Sequence, residues 1–281
     1  SKRPIVQDGD GRLVAVIGAG PAGMEAAVTL KQRGFDVVVF DKRDEIGGNL
    51  HVAKKPPFKG KFEWAIDYYK SMAKKLNITM KLGKEVTAQE VLALKPYSIL
   101  VATGSNVISI PLEGLDQVQT VQAHDVLAND MQFANKKVVV IGGGITGLET
   151  ALYINRQGTN QVSVVDMLPE WPVDMLDMRY QNEALLEVRH CNDQGVALFY
   201  NNKVVKFADG KLFIESTKDG EVKELPADVI VLSVGVKPND ALWQELLASG
   251  HPSVWKAGDA IATGKINKAV LHGSKFGYSL N

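Results

Sequence analysis

The sequence predicts an α/β chain built from two copies of one strand–turn–helix–strand unit, and three observations carry that expectation. The run Val14-Ala15-Val16-Ile17-Gly18-Ala19-Gly20-Pro21-Ala22-Gly23 matches Val138 to Gly147 in pattern at a constant offset of 124 residues. Each run is rich in Val and Ile and ends at a glycine, as expected of a parallel strand buried on both faces. Each is then followed by helix formers and a second β-branched strand that closes on an acid, Asp41 or Asp166.

In order along the chain, a strand ends at Gly18 and a helix from Met24 to Arg33 stops at Gly34, a residue suited to a helix C-terminus. Val37-Val38-Val39-Phe40 is the next strand. Apolar residues at 62, 65, 66, 69, 72, 73 and 76 form a helical stripe between Lys61 and Leu76. Ser98 to Gly104 reads as a buried strand running into a turn, and Asp228 to Gly235 repeats that theme. The second copy of the unit spans 138–142, 145–157 and 162–165. Residues 203–225 alternate around Asp209-Gly210 and Asp219-Gly220, the pattern of a small antiparallel meander. Val254 to Ala257 is a last strand, and Lys265 to Lys275 a last helix with Asn267 as its expected cap. The expected architecture is two Rossmann-like, three-layer domains with the second inserted into the first: 1–113 with 228–281, and 114–227.

Composition narrows the function. A chain of 281 residues is long enough for two domains. The 32 basic and 32 acidic residues cancel, which argues against neutralising nucleic-acid phosphates or anionic lipid. The lone Cys191 forms no Cys pair, iron–sulfur site or structural zinc cluster within the chain. No apolar run reaches the roughly 18 residues of a membrane span. These features lead to an expectation of a cytoplasmic protein with no membrane or nucleic-acid partner. The opening on Ser and a polar stretch suggests a piece of a longer polypeptide.

Chemistry enters with the glycines. Gly18-x-Gly20-x-x-Gly23 supplies a tight turn, a close approach of backbone to a pyrophosphate, and tight helix–strand packing. The following helix N-terminus offers unpaired N–H groups to phosphate. Asp41, eighteen residues after Gly23, stands where a carboxylate accepts from ribose hydroxyls. Gly142-x-Gly144-x-x-Gly147 with Asp166 repeats the arrangement. Two such sites imply two dinucleotides, and the ordinary reason to hold two is hydride passing between them. Nothing basic follows Asp166 until Arg179, which favours NADH over NADPH at the second site.

These residues carry a family resemblance. Val16 to Ala27, Asp41 to Asn49, Ala102-Thr103-Gly104, the second glycine motif and Ala257-Gly258-Asp259-Ala260 resemble the flavoproteins with two dinucleotide-binding domains. Within these, Gly47 to Pro57 leading to Lys61-Phe62 is similar to the C-terminal part of the 2,4-dienoyl-CoA reductase and 2-enoate reductase group, NADH:flavin oxidoreductases of old-yellow-enzyme type. The resemblance implies that FAD is held by Gly18, Gly20, Pro21, Ala22, Gly23, Asp41, Lys42, Gly47, Gly48, Asn49, Leu50, Ala102, Thr103, Gly104, Gly258, Asp259, Lys268 and Ala269. Within that set, Asn49 and Leu50 would touch the flavin ring and Asp259 the ribityl chain. It implies that Gly142, Gly144, Ile145, Thr146, Gly147, Asp166 and Gly235 hold NAD(P)H. No side-chain acid or base is expected, because hydride transfer is the cofactors' own chemistry.

The departures matter as much. Disulfide reductases of this architecture carry a Cys pair beside the flavin, and Cys191 is alone. Enoate reductases also carry a (β/α)₈ barrel with FMN and an iron–sulfur cluster. Such a barrel needs about 250 residues, and the first glycine motif here begins at residue 18. The expectation is therefore an electron-input module whose partner is an FMN/iron–sulfur barrel domain or subunit. The alternative is a non-catalytic nucleotide-binding module. The five histidines lack metal-ligand spacing, Trp64 and Trp255 read as core, and Lys54, Lys55, Lys59 and Lys61 read as a solvated loop or, less favoured, a docking patch.

Overall fold

A computed structural model describes residues 5–169 and 178–281 of the chain. The chain runs through β1 (Leu13–Ile17), α1 (Pro21–Gln32), β2 (Asp36–Phe40), α2 (Leu50–Ala53), α3 (Phe62–Lys75), β3 (Thr79–Lys81), α4 (Ala88–Ala93), β4 (Ser98–Val101) and β5 (Ser105–Val107). It continues with β6 (Gln119–Gln122), α5 (Ala123–Ala128), β7 (Lys137–Ile141), α6 (Ile145–Asn155), β8 (Gln161–Val165), α7 (Met178–Asp193) and β9 (Ala197–Phe199). The meander follows as β10 (Asn202–Ala208), β11 (Lys211–Ser216) and β12 (Val222–Pro226), then β13 (Val229–Leu232). The last elements are β14 (Val236–Pro238), α8 (Ala241–Ala248), β15 (Val254–Lys256) and α9 (Ile266–Ser279).

Two compact units divide the chain. The first takes the chain up to Lys54, Lys61–Asn106 and Val236–Asn281; the second takes Lys55–Gly60 and Val107–Gly235. These bounds depart from the expected 113/114 and 227/228. The physical reason is β13, which pairs in parallel with both β7 and β6 and so belongs to the second unit's sheet.

In the first unit a parallel five-stranded sheet runs β15-β4-β1-β2-β3. Alternate residues of β1 face opposite ways, so the sheet is covered on both sides. Val14 and Val16 join a core with Met24, Leu30 and Ile66 from α1 and α3. Ala15 and Ile17 join another with Val91 of α4 and Leu246 of α8. Three layers result, helices on either side of the sheet. Thr87 caps α4 through a reciprocal capping box with Glu90, the signal Thr-x-x-Glu in the sequence.

The second unit repeats the parallel sheet in the order β6-β13-β7-β8-β9. Val138 and Val140 face Leu148, Leu152 and Cys191 on the helical side. Val139 and Ile141 face Phe207, Leu212 and Ile214 of the antiparallel meander β10-β11-β12, so here the third layer is a sheet. Asn201, Asp209 and Gly210 adopt positive φ at the ends of β10, as turn residues do.

Two local expectations change. Asn267 is not the cap of α9: Lys265 holds that position, and Asn267 Oδ1 accepts from the Lys268 N–H at 2.8 Å inside the first turn. Trp64 and Trp255 are not core residues but 68% and 53% exposed. Trp64 points off the outer face of α3, and β15 is an edge strand.

Candidate functional site

In the first unit β1 hands the chain to Gly18, whose φ of +113° and tight surroundings exclude any side chain; a Cβ there would sit 2.2 Å from the Ala102 carbonyl oxygen. A Cβ on Gly23 would meet the Gly18 oxygen at 1.9 Å, so the helix starts directly against the turn. Gly20 is the N-cap of α1 with no side-chain cap, Pro21 and Ala22 follow, and no acid stands in the first turn. The first N–H groups of α1 are thus left for a ligand, with the positive end of the helix dipole behind them.

Asp41 sits at the end of β2 and its carboxylate takes two backbone N–H groups, Ala19 at 2.6 Å on Oδ2 and Arg43 at 2.9 Å on Oδ1. It braces the glycine turn and retains further lone pairs for a ribose. Gly47 N–H donates to the Ala19 carbonyl at 2.9 Å, and a Cβ on Gly48 would lie 2.8 Å from Gly20 Cα. The double glycine therefore lies backbone to backbone on the first turn. Lys42 and Asn49 are exposed, and Asn49 Oδ1 accepts from Arg43 at 3.3 Å. Leu50 is 0% exposed and packs in the core of the unit.

Ala102 continues from β4, and its N–H donates to Ile17 at 2.7 Å. Thr103 Oγ1 donates to the Asn239 carbonyl at 2.6 Å while Asn239 N–H donates to Gly104 at 3.0 Å. Gly104 has φ +74° with open space where a Cβ would be. After β15 the chain turns at Gly258, also at positive φ, where a Cβ would lie 3.0 Å from Ala22 Cβ and 3.6 Å from Ala269 Cβ. The N-terminal ends of α1 and α9 thus converge on Gly258. Gly273 lets α9 approach this closely, since a Cβ there would be 2.1 Å from the Ala22 oxygen. Asp259 accepts from the Gly264 N–H at 3.1 Å and the Ser105 hydroxyl at 3.4 Å. Burial pushes its carboxyl above the ordinary value, against those two hydrogen bonds and nearby His272. Lys268 is exposed, with its Cδ 3.1 Å from where a Cβ on Gly264 would lie.

The second unit repeats the plan. Gly142 has φ +109° and a Cβ would lie 2.3 Å from the Ser233 oxygen; on Gly147 it would lie 1.9 Å from the Gly142 oxygen. Gly144 is the N-cap of α6 without a side-chain cap, and a Cβ there would meet nothing within 4 Å. Asp166 accepts from the Gly143 N–H at 2.5 Å and the Leu168 N–H at 2.8 Å. Tyr200 Cε1 would be 3.1 Å from a Cβ on Gly143, which explains the third consecutive glycine here. Ile145 is buried, Thr146 exposed, and Gly235 exposed at φ +101° with its carbonyl accepting from Ile108.

Both sites fit an anionic dinucleotide: bare backbone at the turns, uncapped helix N-termini and an acid at the second strand's end. Residues the sequence did not single out are Ser105, Gly264 and Asn239, which hold the expected FAD residues in place, and Tyr200 and Glu149 in the second unit. Gly264 stands five residues from the Asp259 it holds, whereas Ser105 is 154 residues from Asp259 and Asn239 136 residues from Thr103, so only packing reveals those two.

Cys191 lies fully buried on α7, and burial pushes its thiol up to about 12. Three of the four lysines of the basic loop are held in ion pairs, and Lys61 is exposed. Lys54 pairs with Glu63 at 2.5 Å, Lys55 with Asp130, and Lys59 with Glu149 and Glu183, while Lys61 lies 5.7 Å from the Trp64 ring centroid. No helix among the described residues is long and apolar enough to cross a membrane.

Fold and sites define a chain with two dinucleotide-binding units. It belongs to the pyridine nucleotide-disulphide oxidoreductase family, whose model matches residues 12–271. The chain is 32% identical over 275 residues to an NADH oxidase of Thermoanaerobacter brockii, covering 95% of this chain and 41% of that protein. It is 34% identical over 238 residues to a bilirubin reductase of Mediterraneibacter gnavus, covering 85% and 36%. Among solved structures, a 2-naphthoyl-CoA reductase complex superposes with TM-score 0.89 at 29% identity over 99% of this chain and 41% of that one. A thioredoxin reductase of T. acidophilum, TM-score 0.70 at 20% identity, covering 95% and 97%, shows the shared fold. The chain spans about two fifths of the length of these two relatives. It is an FAD-dependent NAD(P)H oxidoreductase module of the kind found in enoate-reductase-type enzymes, with FAD and NAD(H) as cofactors.

Proposed function

We propose that this chain is the electron-input module of a larger flavoenzyme, with FAD on the first unit and NADH on the second. Bound there, FAD would supply the chemistry of a hydride acceptor for NADH and of an electron donor to a further acceptor. The observation that carries the reading is the duplicated acid-braced glycine turn, Asp41 on Ala19 and Asp166 on Gly143, each opening onto an uncapped helix.

The chain's own residues bind and orient. Gly18, Gly20, Gly23, Gly47 and Gly48 bring bare backbone to the FAD diphosphate. Asp41 accepts from its adenosine ribose, and Asp259 with Ser105 and Gly264 presents a fixed carboxylate to the ribityl hydroxyls. The N-terminus of α9 lends positive potential that favours negative charge on the reduced ring. Gly142, Gly144 and Gly147 do the same for NADH, and Asp166 at its ribose favours NADH over NADPH, because a 2′-phosphate would meet a carboxylate. The single buried thiol supports an acceptor other than a Cys pair of this chain, and a cytoplasmic location. That the relatives are more than twice as long supports electron transfer to a partner domain or subunit, an FMN/iron–sulfur barrel.

An anaerobic visible spectrum before and after adding NADH, with NADPH in parallel, tests the reading. Oxidised-flavin bands that bleach with NADH and more slowly with NADPH are expected. A colourless protein that cannot be reconstituted with FAD would overturn it.

A further inference from the structure

The segment Lys55–Gly60 belongs to the second unit although the chain on either side of it belongs to the first. Three side chains anchor it. Lys55 pairs with Asp130. Phe58, at φ +67°, sets its ring 5.2 Å from His190 on α7, with the Arg156 guanidinium of α6 4.6 Å from its centroid. Lys59 Nζ lies 2.9 Å from Glu149 Oε1 on α6 and 2.5 Å from Glu183 Oε1 on α7.

Of the three, Lys59 bears on the dinucleotide site. Glu149 is the fifth residue of α6, the helix capped by Gly144. At 1.5 Å per residue its Cα lies about 7.5 Å along the axis from that turn. Its side chain is only 12% exposed. Glu187 of α7, 8% exposed, brings a third carboxylate to the group, with His190 Nδ1 3.8 Å from its Oε2. Carboxylates gathered this close to a helix N-terminus oppose its positive potential and repel a diphosphate, across a distance that salt screens little.

We propose that Lys59 is a positioning residue for NAD(H): by neutralising Glu149 and Glu183 and tying α6 to α7, it keeps the Gly142–Gly147 turn attractive to the dinucleotide's diphosphate. The inference rests on NAD(H) occupying the second unit. Burial works to lower the Lys59 pKa, but the Glu183 hydrogen bond and the Glu149 charge outweigh it and hold the ammonium well above its ordinary value. Burial pushes Glu149 and Glu187 upward, and Lys59 opposes this in both. Among the described residues, the charged and titratable groups around Lys59 are thus Glu149 and Arg156 from α6, and Glu183, Glu187, His190 and Cys191 from α7.

The test is calorimetric titration of the FAD-loaded protein with NAD⁺. Lys59→Met is expected to weaken NAD⁺ by about tenfold at pH 8. The defect should shrink toward pH 5.5 as the Glu149 and Glu187 carboxyls, raised by burial and no longer opposed by Lys59, take protons. Lys59→Met/Glu149→Gln should recover to within about threefold of wild type, and Lys59→Arg, which keeps the charge, should bind as wild type. A purely structural role would show neither the pH dependence nor the rescue. If Lys59→Met does not fold, the double variant and Lys59→Arg still decide. A Lys59→Met affinity within twofold of wild type at pH 8, or a loss that Glu149→Gln leaves in place, overturns the proposal. Gly144→Val separates the premise: its Cβ enters open space, so unchanged NAD⁺ binding there removes NAD(H) from the second unit altogether. Binding lost in Gly144→Val but kept in Lys59→Met overturns the role of Lys59 alone.

Discussion

Asp166 Oδ2 accepts the backbone N–H of Gly143 at 2.5 Å, and Asp41 does the same for Ala19 at 2.6 Å in the other unit. In each unit the acid at the end of the second strand fixes the glycine turn at the end of the first. The carboxylate therefore has a structural duty besides any contact with ribose.

That double duty shapes the outcome of Asp166→Ala. The N–H groups of Gly143 and Leu168 lose a charged acceptor, a cost of about 1–2 kcal/mol in stability. NADH affinity is expected to fall about tenfold or more with no gain for NADPH, because the turn itself loosens. Urea unfolding and titrations with both nucleotides check this; a variant of wild-type stability that gains NADPH would show that Asp166 acts on the ribose alone.

Glycines of one motif should separate stability from binding. Gly147→Ala places a Cβ 1.9 Å from the Gly142 oxygen, both on backbone that cannot yield, and is expected to cost about 3 kcal/mol or more. Gly144→Ala has ordinary backbone angles and open space, so its stability should stay within about 0.5 kcal/mol while NADH binding weakens. Denaturant midpoints set beside nucleotide titrations distinguish the two.

Asp259→Asn should divide the apoprotein from the flavin. Burial raises the carboxyl above its unfolded value, so the folded state holds this proton more tightly. That contribution is full below the ordinary carboxylate range and is lost as pH rises through the folded value. At pH 7 the flavin-free variant should melt no lower than wild type, and relative to wild type it should fare worse near pH 3.5. FAD retention should fall about tenfold at pH 7, seen as a reduced visible-to-ultraviolet absorbance ratio after gel filtration.

The Cys191 thiol should be silent. Fully buried and pushed up to about 12, it is expected to resist a thiol reagent in native buffer and to react stoichiometrically in denaturant. Cys191→Ala should cost about 1–2 kcal/mol by leaving a small cavity and leave the rate of NADH-driven flavin bleaching unchanged.

The glycine turns, the acids and the flanking strands were legible because their chemistry is local: spacing alone sets what a tight turn beside a helix start can be. The allegiance of Val229–Leu232 was not. A strand buried on both faces looks the same as Ser98–Val101 in sequence, and only its pairing with β7 and β6 assigns it to the second sheet. The burial of Leu50 in the core was not legible for a related reason, since adjacency to a glycine pair does not tell which way a side chain points. Trp64 and Trp255 show that a large aromatic residue alone does not reveal burial. The partners of Lys59 are set by tertiary packing, with Glu149 ninety residues away, and no local pattern announces them.

The first sheet carries β15 at its edge, and α1 rests against α9 through Gly273 and Gly277. Both elements follow the second unit in sequence. During synthesis on a ribosome, the residues of the first unit therefore emerge early but stay unfinished, an open sheet with an uncovered helix. The second unit has all its strands once Leu232 has left the exit tunnel and can close first. The order of birth and the order of completion are reversed, and the nascent first unit is the stage at which a chaperone has most to shield.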